Sequence, residues 1–302
     1  MQTVVFGNVT LDVICYPVND VPRKESISFE KAIVSPGGCA SNVAIGLATL
    51  GIPAGLVAQT GDDDPAELLF QHWDRVGVDT RFVQRTADAP TAVSVGLVDS
   101  EYQPRFVHTP GANGSLSADA LDIPMLKSTG VRFLHVAGFF VLPTLFDGML
   151  SQKLSEAKNL GLQTSLDVVF NVRMDDPTLR TYLWEAMPYI DNFLCNEYEA
   201  FRMTGIVIPE QAARALKDRG AANVIVKLGE KGCYVLGDTF TGLIAAPKAD
   251  VVDTTGAGDA FAAGFIAALC RTSSLQEALN AGNQAGAHIV RKLGAIQAWL
   301  DK

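Results

Sequence analysis

Asp253-Thr-Thr-Gly-Ala-Gly-Asp-Ala-Phe261 follows the strand-like pair Val251 and Val252 and opens a segment rich in alanine and apolar residues. A strand, a glycine-rich turn and a helix in that order predict a βα unit of an α/β fold. Gly256 and Gly258 remove Cβ atoms, so the chain can turn sharply and approach a ligand. The N-terminus of the helix then presents unpaired N–H groups and the positive end of its dipole. With Ala257 between them, the two glycines form an anion hole suited to a phosphoryl group gaining charge. Asp259 falls in the first turn, where a carboxylate can take the proton of an attacking hydroxyl. The spacing is not G-x-G-x-x-G, because Phe261 stands at the third glycine position, which disfavours a dinucleotide site. No G-x-x-x-x-G-K-[ST] occurs either, which excludes a P-loop.

Outward from this stretch, short apolar runs alternate with helical patterns. Strands are expected at residues 4–6, 55–58, 131–136, 164–168, 192–195 and 223–226. Helices are expected at 41–50, 65–76, 145–160, 177–187, 197–204, 209–219, 258–270 and 275–292. This alternation implies a mainly parallel sheet with helices on both faces. Residues 9–34 and 91–109 break the rhythm, being strand-rich without intervening helices. The second reads as a hairpin turning at Asp99-Ser-Glu-Tyr102. The two stretches are expected to form one small antiparallel sheet, leaving 1–8, 35–90 and 110–302 as the α/β body. A few strands alone leave an apolar face exposed, so this sheet should close over a cleft, pair with another subunit, or both.

Two further motifs carry chemistry. Pro36-Gly37-Gly38-Cys39-Ala40-Ser41-Asn42 leads into an apolar helix; its glycines permit close approach, and Asn42 offers the donor and acceptor that a sugar hydroxyl needs. Gly7-Asn-Val-Thr-Leu-Asp12 ends the first strand, on the side where open α/β sheets bind ligands. Asp12 lies among apolar residues and needs a partner, such as ligand hydroxyls.

Composition limits the alternatives. The chain has 302 residues, 48% hydrophobic and 19% charged, which excludes disorder. At about 150 residues per domain its length suggests roughly two domains. The net charge of −9 argues against a nucleic-acid partner. Phosphate would therefore be held by backbone N–H groups and a metal ion rather than by bulk charge. Cys15, Cys39, Cys195, Cys233 and Cys270 are scattered singly, so neither a zinc site nor a disulfide framework is expected. No signal peptide, membrane span or repeat is visible, and a cytoplasmic location is expected.

Taken together and in this order, the motifs resemble those of the ribokinase-like (PfkB) family of carbohydrate kinases, over essentially the whole chain. Gly37-Gly38 with Asn42, Gly51 and Gly61-Asp62-Asp63 resembles the family's N-terminal signature, and residues 253–259 its C-terminal one. Asn196-Glu-Tyr-Glu199 is similar to its N-x-x-E motif, and Lys227-Leu-Gly-Glu-Lys-Gly232 to its nucleotide-binding strand and turn. The resemblance implies a three-layer α/β sandwich with a β-lid. It implies Asp259 as catalytic base and the backbone of Gly256, Ala257 and Gly258 as anion hole. Asp12, Gly38 and Asn42 would bind sugar, while Asn196, Lys227, Gly229, Gly232 and Asn283 would border ATP. Glu199 would act on Mg2+ through water. Asp253, Thr255 and the backbone near Gly294 sit where some members hold K+. A homodimer through the lid is implied as well.

The chain also departs from the pattern. Cys39 stands where ribokinases usually carry lysine, which points toward fructokinase-like members. In Asp167-Val-Val-Phe-Asn-Val-Arg173 the arginine of the D-P-N-x-R pattern is displaced by two positions, so its role is not transferred. Arg105 and His108 lie on the expected lid, either solvated or in contact with substrate, and His135 reads as a core residue. The leading expectation is ATP-dependent phosphorylation of a neutral sugar. A nucleoside kinase of the same fold, a non-catalytic sugar-binding protein and a dinucleotide oxidoreductase follow in that order.

Overall fold

The computed structural model describes residues 1–101, 104–272 and 274–300; Tyr102, at the end of the expected hairpin turn, lies outside them. Among these residues the strands form two sheets. In chain order they are β1 (Thr3–Gly7), β2 (Thr10–Tyr16), β3 (Lys31–Gly37), β4 (Ala54–Gly61), β5 (Asp79–Thr86), β6 (Val93–Val98), β7 (Pro104–His108), β8 (Phe133–Ala137), β9 (Gln163–Asp167), β10 (Asn192–Asn196), β11 (Asn223–Lys227), β12 (Cys233–Leu236) and β13 (Thr241–Ile244). The helices are α1 (Cys39–Thr49), α2 (Asp64–Val76), α3 (Ile123–Ser128), α4 (Met149–Asn159), α5 (Pro177–Ala186), α6 (Glu197–Thr204), α7 (Pro209–Lys217), α8 (Ala257–Leu269), α9 (Leu275–Ile289) and α10 (Gln297–Leu300).

The large sheet has the order β13-β12-β11-β10-β9-β8-β1-β4-β5. It is parallel from β11 through β5, with β12 and β13 added antiparallel. Alternating side chains send Val5 into one core and Val4 and Phe6 into the other. The first core is covered by α1, α2, α8 and α9; the second by α3, α4, α5 and α7. The strand order turns back between β1 and β8, and ligands bind at the carboxyl ends of strands at such a switch point.

Several boundaries differ from the sequence reading. Val251 and Val252 are not in a strand. The helix expected from residue 145 starts at Met149, after Gly148 in a left-handed conformation. Strands β5 and β13 carry no apolar run long enough to have signalled them, and the short run Cys233–Leu236 of β12 was not read as a strand. The small residues of α8 and α9 serve close packing: a Cβ on Gly264 would stand 2.6 Å from Ala281 O and from Ala285 Cβ.

The small sheet has the order β3-β2-β6-β7 and is mixed rather than antiparallel as expected: the outer pairs are antiparallel, but β2 and β6, which come from the two separate stretches, run parallel. Strand β3 runs three residues beyond the expected boundary at 34 and delivers the chain directly into α1. Both crossings from the body are pinned by side chains. Asn113 binds the N–H and C=O of Val9 at 3.0 and 2.8 Å. Asp63, the N-cap of α2, accepts from the Thr91 hydroxyl at 2.6 Å and its N–H at 2.8 Å.

Candidate active site

Gly256, at φ 77°, is the left-handed residue that caps α8, and a Cβ there would stand 2.7 Å from Ala295 O. The turn before it is tied down by Asp253, which is buried. Its Oδ1 accepts from the Thr255 N–H and hydroxyl at 2.9 and 2.7 Å, and its Oδ2 from the Gly294 N–H at 2.8 Å. The three positions named together from the sequence are thus one clamp, which fixes the first turn of α8.

Asp259 projects from that turn. Its Oδ2 accepts from Asn42 Nδ2 at 2.7 Å, which joins α8 to α1. Burial pushes its carboxyl up to about 7, against the Asn42 hydrogen bond. Burial together with the nearby Asp259 charge pushes the Cys39 thiol well above its ordinary value. Cys39 is therefore a small neutral thiol near that carboxylate, not a nucleophile. Asn42 Oδ1 is buried with no partner among the described residues, an acceptor left over beside the carboxylate.

A cavity of about 1060 Å³ opens here. Its lining brings together Asp259, Gly256, Ala257, Gly258, Asn196, Glu199, Lys227, Gly229, Gly232 and Asn283. Asp12, Gly38, Asn42, Asp253 and Thr255 do not line it; Asn42 reaches it through Asp259. Asn196 and Glu199 form a reciprocal cap on α6, with bonds of 2.8 and 2.7 Å. Burial pushes Glu199 up to about 7, with Lys227 opposing. Asn283 donates to Ile244 O at 3.0 Å, which secures the chain beside the cavity. Among the described residues no three His, Cys, Asp or Glu side chains converge as a metal cage. Glu199, desolvated on the cavity wall, still fits an ion carried mainly by ligand oxygens and water.

The register of the small sheet separates residues that the sequence left together. Ser35, Asp12, Ser94 and His108 stand side by side across all four strands. Ile14, Ile33, Tyr16 and Val98 of the same face pack on Val252 and Leu293, which adjoin Asp253 and Gly294. Asp12 and His108 thus share the face turned toward the α8 turn, whereas Arg105 is on the other face. Arg105 donates to Val18 O and Asn19 O at 3.0 Å, a structural tie. Burial pushes Asp12 up to about 6, while the Thr10 hydroxyl, at 2.6 Å, pulls it down. Arg173 bonds Phe140 O and Asn171 Oδ1 and points to no cavity residue among these. His135 is a core residue: its Nδ1 meets Ser165 Oγ at 2.7 Å, and burial pushes it down to about 3.

The sequence reading passed over Asp167. Both of its oxygens hold Lys227 Nζ, at 2.8 and 2.6 Å, and it lines the same cavity. Its signal was a carboxylate at the carboxyl end of an expected strand, the side on which open α/β sheets bind ligands.

The family described as pfkB family carbohydrate kinase matches residues 2–302. A probable fructokinase-3 of Arabidopsis thaliana is 29% identical over 97% of this chain and 87% of its own. An aminoimidazole riboside kinase of Salmonella typhimurium is 28% identical over 97% and 90%. The solved structure of an Arabidopsis thaliana ribokinase complexed with ribose and ATP superposes with a TM-score of 0.83. It is 27% identical and covers 98% of this chain and 95% of that one.

Proposed function

The chain belongs to the pfkB family of carbohydrate kinases, and from that premise we propose that it transfers the γ-phosphate of ATP to a hydroxyl of a neutral sugar, with Asp259 as base. The observation that carries this reading is the junction of α1 and α8. There a buried carboxylate bonded to Asn42 stands in the first turn of a helix whose N-terminus is held open by Gly256.

The steps follow from these groups. Asn42 and Asp12 orient the sugar, so that one hydroxyl points at Asp259. As the hydroxyl oxygen bonds to the γ-phosphorus, its proton passes to Asp259 and the bond to the β-phosphate oxygen breaks, which leaves ADP. The N–H groups of Ala257 and Gly258 receive the charge that develops on the phosphoryl oxygens. Asn196, Gly229, Gly232 and Asn283 border the nucleotide. A magnesium ion near Glu199 would supply neutralisation between the phosphates when bound. The carboxyl oxygens of Asp253 are already engaged by Thr255 and Gly294. A potassium ion at that loop would therefore be met by backbone carbonyls.

The small sheet acts as a lid that excludes water, and also as the dimer surface. Its outer face carries the row Val34, Val13, Val95 and Val107, with Val34 and Val107 49% and 64% exposed. A second copy of the chain covering this face removes that apolar surface from water. Val95→Glu is expected to convert a dimer to a monomer in sedimentation equilibrium; an unchanged mass would contradict the interface.

The substrate is read by ADP release against fructose, ribose, 2-keto-3-deoxygluconate, myo-inositol, adenosine and a riboside, each with and without K+. A hexose or pentose as best acceptor is the expected result. A riboside as best acceptor would move the assignment to the nucleoside branch, to which one relative's activity belongs. Sugar binding without ADP release from any acceptor would refute the kinase reading.

A further inference from the structure

Asp167 ends β9 and Lys227 ends β11, with β10 between them. Their side chains are 5% and 14% exposed and meet over β10 at 2.6 and 2.8 Å. Lys227 Nζ is also 3.1 Å from the point where a Cβ on Gly258 would stand. The ammonium therefore lies against the first turn of α8, beside the anion hole. Of the other cations on the cavity wall, Lys231, Lys248 and Arg291 are exposed. Arg173, the arginine of the departing motif, is spent on Phe140 and Asn171.

A buried ion pair is weak evidence for stability, since apolar residues of similar volume stabilise about as well. Its position on the cavity wall calls for another explanation. An ammonium has three donors, and Asp167 is its hydrogen-bond partner among the described residues.

We propose that Asp167 and Lys227 act as one unit, in which Asp167 is a positioning residue that holds the Lys227 ammonium against α8 and Lys227 contacts the phosphoryl group in transit. This rests on the kinase reading and deepens it. During transfer the phosphorus bonds to the sugar oxygen and parts from the ADP oxygen; the sugar proton goes to Asp259, and Lys227 keeps its own. Its fixed charge adds to the N–H groups where negative charge accumulates, in a site shielded from water. Against burial, which disfavours its charge, Asp167 and then Glu199 hold Lys227 above the ordinary lysine value, so it stays cationic throughout.

The test measures kcat and sugar KM of the full chain at saturating ATP for the wild type, Asp167→Asn, Lys227→Met and the Asp167→Leu/Lys227→Met double variant. Lys227→Met is expected to lower kcat by about 100-fold, the usual scale for one transition-state donor. Sugar KM should change by less than about threefold, because the sugar is held elsewhere. Asp167→Asn is expected to lower kcat by about tenfold, again with little change in KM. Removing Asp167 as well should cost nothing beyond the loss of Lys227, as coupled residues require. The double variant leaves no unpaired buried charge and keeps the test open if a single variant does not fold. A folded double variant with kcat within threefold of wild type would overturn the unit while leaving the kinase reading intact. A wild-type chain that phosphorylates no sugar would overturn both.

Discussion

The two parts of the proposed site are built differently. At the phosphoryl end every group is held: Gly256 against Ala295, Asp253 bridging Thr255 to Gly294, Lys227 in the grip of Asp167, Asn283 on Ile244. In the part proposed to read the sugar, Asp12 and His108 sit on a four-stranded sheet whose outer strand β7 is exposed from Arg105 to His108. The phosphoryl chemistry is shared by every acceptor, so it can be preformed. On the proposed reading, acceptor recognition falls to the small sheet, the part that would close over the cleft and gate the reaction.

The contrast predicts large effects on kcat at the first end and smaller effects on KM at the second. Gly256→Ala should lower kcat by about 100-fold, because a Cβ would push the turn away from Ala295 and misplace the donors. Normal turnover in that variant would show that the turn is not the anion hole. The pH profile comes next. Since Asp259 must be ionised to act and burial pushes it up to about 7, kcat/KM should fall about tenfold per pH unit below that value. An acid limb near 4 would remove Asp259 as base.

Stability should move in the opposite direction. Unfolded carboxylates lose their protons near 4, whereas Asp259 and Glu199 keep theirs until about 7 and Asp12 until about 6. Between those values ionisation favours the unfolded chain, so these groups stabilise the fold below about 4 and lose that contribution as pH rises to 7. His135, pushed down to about 3, acts the other way below its ordinary value of 6.5. At pH 8 Asp259→Asn should therefore raise Tm by about 2–4 °C, the shift of roughly 1 kcal/mol in a chain of this size. A lower Tm would mean that the carboxylate is not strained by burial. The smallest effect belongs to the lid: His108→Ala should raise sugar KM about threefold, the scale of one weak hydrogen bond. Arg105→Ala, on the opposite face, should leave KM unchanged. The reverse result would turn the sheet over.

The contrast also explains what the sequence revealed. The phosphoryl end was legible because its glycines, Asp259 and the Asn196/Glu199 cap are local patterns with a stereochemical cause. So were the six buried strands 4–6 through 223–226, whose short apolar runs a doubly covered sheet requires. Strand β5 was not, since Asp79-Thr-Arg-Phe-Val-Gln-Arg-Thr86 is a half-polar edge strand with no apolar run. Val251 and Val252 misled for the converse reason: apolar and β-branched, they are loop residues before the α8 turn, Val252 packed and Val251 exposed. Asp167 and Lys227 are 60 residues apart, and only the strand order brings them together. The facing of Arg105 and His108 depends on strand register, which composition alone does not set.

The central claim is that the carboxylate joining α1 to α8 takes the proton of a sugar hydroxyl during phosphoryl transfer. The direct measurement is 31P NMR of ATP and sugar incubated with wild type and with Asp259→Asn, alongside calorimetric binding of the same sugar. The account predicts ADP and sugar phosphate in equal amounts from the wild type, at least ~100-fold less from the variant, and sugar binding retained in both. Sugar phosphate formed by Asp259→Asn at a rate near wild type would contradict it.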